Sequence, residues 1–249
     1  METDMKDKGI RKLIEKETKR QKSVINLIAS ENYVSDDVLR ALGSPLTNKY
    51  AEGYPGRRYY GGNTIIDEVE QLCQKRALEL FKLNRKEWSV NVQALSGSPA
   101  NLEVYMAMVP FGKKIMGMEL NMGGHLTHGH KVSATGKLWK QVPYGVSKKS
   151  ELLDYEEIQH IAEKEKPHLI VVGYTAYSRL IDFKKFKAIA DSVVHSEPGR
   201  RTIFMVDMSH FAGLVAGNVY SSPFPYADIV TTTTHKTLRG PRAALIFSK

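Results

Sequence analysis

The chain has 249 residues, a formal net charge of +9 at pH 7, and 42% hydrophobic and 25% charged residues. This balance is typical of a folded globular protein and excludes a disordered chain. The single cysteine, Cys73, excludes an internal disulfide and a metal site built from several cysteines. Its apolar helical setting predicts a buried structural thiol. With no apolar run long enough for a bilayer and a charged N-terminus unlike a signal segment, we expect a cytoplasmic protein without a membrane partner.

A positive net charge is also found in nucleic-acid-binding proteins. Here the basic residues are dispersed along the chain, and no zinc-finger or RNP-type pattern accompanies them. A substrate or cofactor that carries phosphate and carboxylate groups accounts for the same surplus. We therefore expect small-molecule ligands and no nucleic-acid partner.

The first quarter of the chain is predicted to be helical and then irregular. Residues 6–28 have the apolar spacing of one or two amphipathic helices, which we interpret as an arm that packs on a partner subunit. Ser35 and Gly43 are typical of the start and end of a short helix. Residues 48–63 hold four glycines and four tyrosines, which favours an ordered binding loop. A helix is predicted over residues 64–81.

From Trp88 onward, short apolar runs alternate with helical patterns. The predicted strands are residues 88–95, 114–120, 168–175, 201–208, 227–234 and 243–248, and the clearest helices are 98–109, 154–165 and 182–194. Continuous apolar strands separated by helices predict a three-layer α/β/α fold around a mainly parallel sheet. In such folds the ligand site lies beyond the carboxyl ends of the strands.

Ser96, Gly97 and Ser98 follow the first predicted strand and open a helix at Pro99. Their hydroxyls, free N–H groups and the positive end of the helix dipole suit a phosphate group. An ordinary serine cap with proline at the first helical position gives the same pattern. The chain has neither a P-loop nor a GxGxxG fingerprint, so the sequence does not point to a nucleotide.

Asp207 and Lys236 come directly after two further predicted strands. A carboxylate at the end of an apolar strand costs free energy unless a cation or strong donor meets it, although a helix cap or structural ion pair is the alternative. For Lys236 the alternative is a solvated surface charge. The two residues are 29 positions apart, so they can face one cleft from neighbouring strands. With a phosphate seat nearby, they suggest pyridoxal phosphate, whose aldehyde forms a Schiff base with a lysine and whose pyridine nitrogen pairs with a carboxylate.

The segment GGHLTHGH contains His125, His128 and His130. The spacing of these histidines raises the alternative of a metal site, but the surrounding glycines favour a tight loop over a ligand-bearing helix. We expect no metal here. A histidine stacked on a flat ring, or a plain loop histidine, is the preferred interpretation.

Six segments together carry a resemblance to a known family. They are INLIASENY, TNKYAEGYPGRRYYGGN, SGSPAN, GGHLTHG, VDMSHFAGLVA and ADIVTTTTHKTLRGPR, in this order across nearly the whole chain. They resemble serine hydroxymethyltransferase, the pyridoxal-phosphate enzyme that exchanges a one-carbon unit between serine and tetrahydrofolate. The resemblance implies the aspartate-aminotransferase-like type I fold, with a helical arm and active-site loop over residues 1–63 and a cofactor-binding large domain over residues 64–249.

The resemblance also implies roles for matching residues. Lys236 is the expected Schiff-base lysine, Asp207 the partner of the pyridine nitrogen, and His125 the residue stacked on the ring. The other residues expected at the cofactor are Ser96, Gly97, Ser98, Thr175, His210, Thr233, His235, Arg242 and Tyr50. Those expected at the amino acid and the folate are Ser30, Glu52, Tyr60, Leu120, Gly124 and Leu126.

Tyr50, Glu52 and Tyr60 are expected to reach the site from a second subunit. The resemblance therefore implies a homodimer, or a tetramer built from it, with shared active sites. Tyr50 and Glu52 are expected to be catalytic, because a loop carboxylate in an aromatic setting suits the proton handling of retro-aldol cleavage.

The sequence also departs from the family pattern. Ala94 stands where the family has Pro, and Thr175 where it has Ser. Family members continue beyond the position of Lys249 into a second domain with the arginine that binds the substrate carboxylate, so we expect this chain to be the cofactor-binding part, with little activity alone. A non-catalytic cofactor-binding or dimerising module and a threonine-aldolase-like lyase that needs no folate are the alternatives.

Overall fold

A computed structural model describes residues 5–249. Its helices are α1 (Lys8–Ser23), α2 (Asp36–Leu42), α3 (Thr64–Leu80), α4 (Gly97–Met108), α5 (Ala134–Leu138), α6 (Tyr155–Glu165), α7 (Phe183–Ser192) and α8 (Ala212–Ala216). Its strands are β1 (Gly53–Tyr54), β2 (Arg57–Arg58), β3 (Ser89–Asn91), β4 (Lys114–Met118), β5 (Lys140–Tyr144), β6 (Leu169–Val172), β7 (Ile203–Asp207), β8 (Ile229–Thr233) and β9 (Ala244–Ser248). Short 3₁₀ turns cover Pro45–Asn48, Leu120–Met122 and Leu126–His128.

The main sheet has seven strands in the order β3-β9-β8-β7-β6-β4-β5. Strands β8, β7, β6, β4 and β5 are parallel, whereas β9 runs antiparallel between β8 and β3. Every residue of β6 and β8 is buried, as expected for central strands covered on both faces. The predicted mainly parallel sheet is confirmed.

Alternate residues of the central strands pack into separate cores on the two faces of the sheet. Ile170 and Val172 join one cluster with side chains of α3, α6 and α7, whereas Leu169 and Val171 join another with side chains of α4. Because successive strand residues point to opposite faces, these clusters lie on either side of the sheet. The three-layer α/β/α prediction is therefore confirmed.

The predicted helices over 64–81, 98–109, 154–165 and 182–194 correspond to α3, α4, α6 and α7. The short helix α2 begins and ends as predicted, since the Ser35 side chain accepts a hydrogen bond from the N–H of Val38 and Gly43 follows the last turn. Strand β5 was not predicted. It contains Pro143 and lies at the edge of the sheet, where a missing N–H is tolerated.

Two predictions in the first third of the chain are wrong. Helix α1 ends at Ser23, not near residue 28, because Val24 is extended and the Asn26 side chain accepts a hydrogen bond from the N–H of Ile28. Cys73 is exposed, not buried, because the buried end of α3 is formed by Ala77 and Leu78.

Candidate active site

The carboxyl ends of β6, β7 and β8 form one edge of the sheet, and the predicted site lies there. Asp207 is the last residue of β7 and pairs in register with Thr231 of β8. Gly173 follows β6 with φ of +122°, and a Cβ atom on it would lie 1.8 Å from the carbonyl oxygen of Asp207. Only a residue without a side chain fits this approach of the two strand ends.

The Asp207 carboxylate is buried and accepts hydrogen bonds at both oxygens. Oδ2 accepts from Asn101 Nδ2 at 2.9 Å and from His128 Nε2 at 3.2 Å. Oδ1 accepts from the N–H of Ser209 at 3.1 Å and from its Oγ at 2.6 Å. Burial alone raises the pKa of Asp207, but the donors from His128, Ser209 and Asn101 outweigh it and hold this pKa well below its usual range. The carboxylate is therefore ionised inside the fold.

His125 is held in one tautomer on the neighbouring loop. Its Nδ1 accepts from the N–H of Thr127 at 3.2 Å and lies 2.7 Å from the Thr127 hydroxyl. Because a backbone N–H can only donate, the proton of the neutral ring is on Nε2. Burial and the nearby His128 lower the pKa of His125 to about 4, so the ring is neutral at pH 7.

Lys236 is 9% exposed and lies in the connection between β8 and β9. The turn is held by hydrogen bonds from the N–H of Thr234 to the Ala243 carbonyl and from the N–H of Gly240 to the Thr234 carbonyl. Burial lowers the pKa of Lys236, against the opposing effect of Asp207. A buried lysine of lowered pKa has a larger fraction of nucleophilic neutral amine.

The Lys236 amine has a histidine as its immediate neighbour. Its Nζ lies 3.0 Å from His210 Nε2. Burial and the Lys236 charge lower the pKa of His210 to about 4, so this ring is neutral at pH 7 and can accept a hydrogen bond from the amine. His125, Thr175, Asp207, His210 and Lys236 line one small cleft.

The predicted phosphate seat lies at the same edge of the sheet. Ser96 precedes α4 in an extended conformation, and its side chain makes no hydrogen bond across the helix start. A Cβ atom on Gly97 would lie 2.8 Å from Thr233 Cγ2 and 3.8 Å from Ser209 Oγ. Thr233 Oγ1 is buried without a hydrogen-bond partner in the part of the chain described. Thr233 thus lies beside Gly97, and the unpaired N–H groups of the first helical turn suit an anionic ligand such as a phosphate.

A separate cavity is lined both by residues of the N-terminal arm and by residues of the turn that carries Lys236. Ser30, His235 and Arg242 line it together with Arg20 and Tyr33. The ring nitrogen Nδ1 of His235 is buried and has no hydrogen-bond partner among residues 5–249. The predicted substrate residue Ser30 is therefore grouped with the predicted cofactor residues His235 and Arg242.

The loop residues Tyr50, Glu52 and Tyr60 do not line the Lys236 cleft of their own chain. The rings of Tyr50 and Tyr60 meet edge to face with centroids 5.5 Å apart, and Tyr60 donates to Glu52 Oε2 at 3.2 Å. Tyr50 is 71% exposed and Tyr60 is 49% exposed. The three side chains form one exposed cluster outside the protein's own cleft.

Arg58 anchors this loop to α3. Its guanidinium pairs with Asp67 at 2.8 Å and with Glu70 at 2.5 Å, and its side chain is 4% exposed. It also donates to the carbonyl oxygens of Ala51 and Gly53. The loop is therefore ordered, as predicted from its composition.

The residues expected at the folate lie on the loop after β4. Leu120 lines a cavity with His130 and Lys131. Leu126 is exposed, whereas Gly124 is buried and a Cβ atom on it would lie 2.1 Å from the Met118 carbonyl oxygen. These three residues thus lie on one loop but do not share a cavity.

Three polar residues of the site were not predicted from the sequence as cofactor residues. Asn101, His128 and Ser209 all contact Asp207. Asn101 had a readable signal, because it is a polar residue within the buried face of α4, next to Ala100. In the sequence, His128 stands out only as a member of the histidine cluster, and in the structure its Nε2 contacts Asp207.

Within residues 5–249, no group of three or more histidine, cysteine, aspartate or glutamate side chains is placed to hold a metal ion. His130 lines a cavity with Gln141, away from Asp207. In the same part of the chain, no helix has the length and apolar character needed to span a bilayer.

The sheet order and the strand-end position of the site are those of the type I fold of pyridoxal-phosphate transferases. Comparison with known proteins narrows this class to a single family. A family model described as serine hydroxymethyltransferase matches residues 3–249. The chain belongs to the serine hydroxymethyltransferase family.

Several relatives are similar along nearly the whole chain. A cytosolic serine hydroxymethyltransferase of Neurospora crassa is 51% identical over 97% of this chain and 50% of its own length. Serine hydroxymethyltransferase of Desulfotalea psychrophila is 54% identical over 98% of this chain and 54% of its own length. Serine hydroxymethyltransferase 2 of Pseudomonas fluorescens is 52% identical over 98% and 56%. The chain thus spans about half the length of the curated relatives that it matches.

Proposed function

We propose that this chain is the cofactor-binding part of a serine hydroxymethyltransferase, which interconverts serine plus tetrahydrofolate with glycine plus methylenetetrahydrofolate. The observation that carries the proposal is the buried Lys236, which shares a strand-end cleft with the ionised Asp207. Pyridoxal phosphate, when bound, supplies an aldehyde for the lysine amine and a ring that withdraws electrons from the amino acid.

The residues of the cleft fit this cofactor in chemistry. Lys236 provides an amine of lowered pKa, and His210, 3.0 Å away, is a neutral ring that can accept a hydrogen bond from it. Asp207 provides a fixed negative charge that would keep a pyridine nitrogen protonated. His125 provides a neutral ring for stacking.

Ser96, Gly97 and Ser98 would hold the phosphate at the start of α4, with the free hydroxyl of Thr233 beside them. Thr175 lines the cleft and would lie beside the ring. Its hydroxyl replaces the serine of the family pattern, so the donor is conserved in kind. Ser30, His235 and Arg242 would hold polar groups of the amino acid and the cofactor in the neighbouring cavity.

We propose further that the protein is a homodimer in which Tyr50, Glu52 and Tyr60 complete the partner's cleft, with Glu52 moving the proton. These side chains do not line their own cleft, and Tyr50 and Tyr60 are exposed. We also propose that residues 1–63 form a helical arm and loop and that residues 64–249 form a large domain, because the three residues expected to reach the partner's cleft lie in the first range. Leu120, Gly124 and Leu126 would contact the folate. We also propose a cytoplasmic location, supported by the relative named cytosolic.

Exposed apolar side chains of the first third support this dimer. Ile25 and Leu27 are each 90% exposed, and Ile65, Val69 and Leu72 form an exposed side of α3. Solvent exposure of so many apolar groups is typical of a protein–protein interface. Sedimentation of the purified protein should give a dimer, and a monomer at micromolar concentration would contradict the shared site.

Covalent capture of the cofactor tests the assignment of Lys236. Borohydride treatment of the protein with pyridoxal phosphate should attach the cofactor to Lys236, and Lys236→Ala should abolish this attachment. Lys113→Ala is the control, because this half-exposed lysine precedes β4 at the opposite edge of the sheet. An adduct that maps to another lysine would overturn the assignment.

Glycine formation from serine tests the reaction. Dependence on tetrahydrofolate is expected for a serine hydroxymethyltransferase. Cleavage of threonine without any folate dependence would instead favour the aldolase-like alternative. Cofactor capture without any turnover is expected both of a cofactor-binding part with little activity alone and of the non-catalytic module.

A further inference from the structure

A buried asparagine in α4 connects two sides of the candidate site. Asn101 is 1% exposed. Its Oδ1 accepts from Thr231 Oγ1 at 2.8 Å, and its Nδ2 donates to Asp207 Oδ2 and to Thr127 Oγ1, both at 2.9 Å. One amide thus joins strand β8, the end of β7 and the loop that carries His125.

The chemistry of the partners fixes the direction of these hydrogen bonds. Asp207 is an acceptor, since its carboxylate is surrounded by donors from Asn101, His128 and Ser209. The amide nitrogen of Asn101 must therefore face it, and this nitrogen also donates to the Thr127 hydroxyl. The proton of that hydroxyl is then free to point at His125 Nδ1, 2.7 Å away.

We propose that Asn101 is a positioning residue that couples Asp207 to His125 through the Thr127 hydroxyl. The carboxylate orients the amide, the amide orients the hydroxyl, and the hydroxyl joins the Thr127 N–H in keeping the His125 proton on Nε2. The consequence is a neutral ring of fixed tautomer beside a fixed negative charge. The value of this arrangement for the cofactor rests on the proposed function, whereas the arrangement itself is a property of the protein alone.

The tautomer of His125 in the cofactor-free protein tests the coupling. Long-range nitrogen–proton NMR correlations should show Nε2–H in the wild type at pH 7. In Asn101→Asp an acceptor replaces the donor, so the Thr127 hydroxyl turns toward position 101 and its lone pair faces Nδ1. We expect a shift of His125 toward Nδ1–H, against the Thr127 N–H, which still favours Nε2–H.

A second substitution separates the relay from simple charge. In Thr127→Val the hydroxyl is lost, but the backbone N–H at position 127 still faces Nδ1. Asn101→Asp in this background should leave His125 as Nε2–H, because no hydroxyl remains to transmit the change to Nδ1. A tautomer shift that is the same with and without the hydroxyl would overturn the relay.

Thr135→Val is the matched control. Thr135 is 1% exposed like Asn101, and its Oγ1 has no hydrogen-bond partner among the described residues. This variant makes the same exchange as Thr127→Val at a comparably buried threonine, and His125 should not respond to it. If Asn101→Asp does not fold, Asn101→Ala and Thr127→Val decide: each frees or removes the hydroxyl donor to Nδ1 and should raise the titration midpoint of His125, and an unchanged midpoint in either variant overturns the proposal.

Cofactor affinity supplies the functional readout. Asn101→Ala should weaken pyridoxal phosphate binding roughly tenfold, which corresponds to about 1.4 kcal/mol. An unchanged affinity would overturn the functional value of the coupling. If the wild type does not capture the cofactor at all, the proposed function fails, while the NMR result on His125 still decides the role of Asn101.

Discussion

Replacement of Asp207 by asparagine should destabilise the protein strongly, because the NH₂ group of the new side chain would face groups that donate hydrogen bonds to the carboxylate in the wild type. The new amide oxygen can still accept from Ser209. Its NH₂ group would face Asn101 Nδ2 and His128 Nε2, which would then lose the acceptor for their hydrogen bonds. An unsatisfied buried donor costs about 1–3 kcal/mol, so two conflicts, eased by some rotation of Asn101, amount to about 3 kcal/mol.

The assay is urea or thermal unfolding of the cofactor-free protein at pH 7. For a chain of this length about 3 kcal/mol lowers Tm by roughly 6–12 °C. Because the pKa of Asp207 is lower in the folded than in the unfolded state, the wild-type advantage is fully present above about pH 4 and is lost as the pH falls below that value. The difference between wild type and Asp207→Asn should therefore shrink in acid.

Asp182→Asn is the control for this experiment. Asp182 is an exposed cap of α7 that accepts from the N–H of Lys185 at 3.0 Å. Asparagine caps helices as well as aspartate does, so we expect a change below about 0.5 kcal/mol. Equal stabilities of Asp207→Asn, Asp182→Asn and wild type at pH 7 would refute the reasoning.

Three further outcomes are expected. Gly173→Ala should lower the free energy of unfolding in urea by about 3 kcal/mol or more, because its Cβ would lie 1.8 Å from the backbone oxygen of Asp207. Gly56→Ala is the control: this glycine also has a positive φ but lies in open space, so the loss should be about 1 kcal/mol. His125 and His210 have pKa values lowered to about 4, so their contribution to stability is present above pH 6.5 and is lost as the pH falls from 6.5 to about 4, by about 1–3 kcal/mol each. A flat stability profile over that range would contradict this. Arg58→Ala should expose the loop to proteolysis, since it leaves two carboxylates unpaired, and an unchanged cleavage rate would show that the loop is held otherwise.

The fold could be predicted where the local pattern and the tertiary structure agree. The apolar runs at β6, β7 and β8 are continuous because both faces of these strands are buried. Strand β5 was not predicted because its sequence lacks a continuous apolar run. Its position at the edge of the sheet tolerates Lys140 and Pro143, and these two residues interrupt the apolar pattern. The helical pattern predicted over residues 6–28 is too long because the apolar spacing continues past Ser23, whereas the backbone is already extended at Val24.

The site could be predicted only in part, for a related reason. Asp207 and Lys236 are recognisable because each follows a strand of evident pattern. The role of Asn101 depends on partners 26, 106 and 130 residues away in sequence, and no local pattern reports such contacts. The cofactor roles of the individual residues stay predictions until the cofactor is captured on the protein.

The antiparallel return of β9 beside β8 has a consequence for the order of folding. The turn that carries Lys236 is closed by contacts between residues few positions apart, such as Thr234 and Ala243. Local contacts of this kind form early, whereas the parallel pairing that buries Asp207 must close long loops, which is slow. The turn that carries the Lys236 amine is therefore expected to form before the sheet buries the charged Asp207 beside it. The rate at which Lys236 captures an aldehyde during refolding would accordingly report the closing of the parallel sheet. It would therefore measure when the last stage of folding takes place.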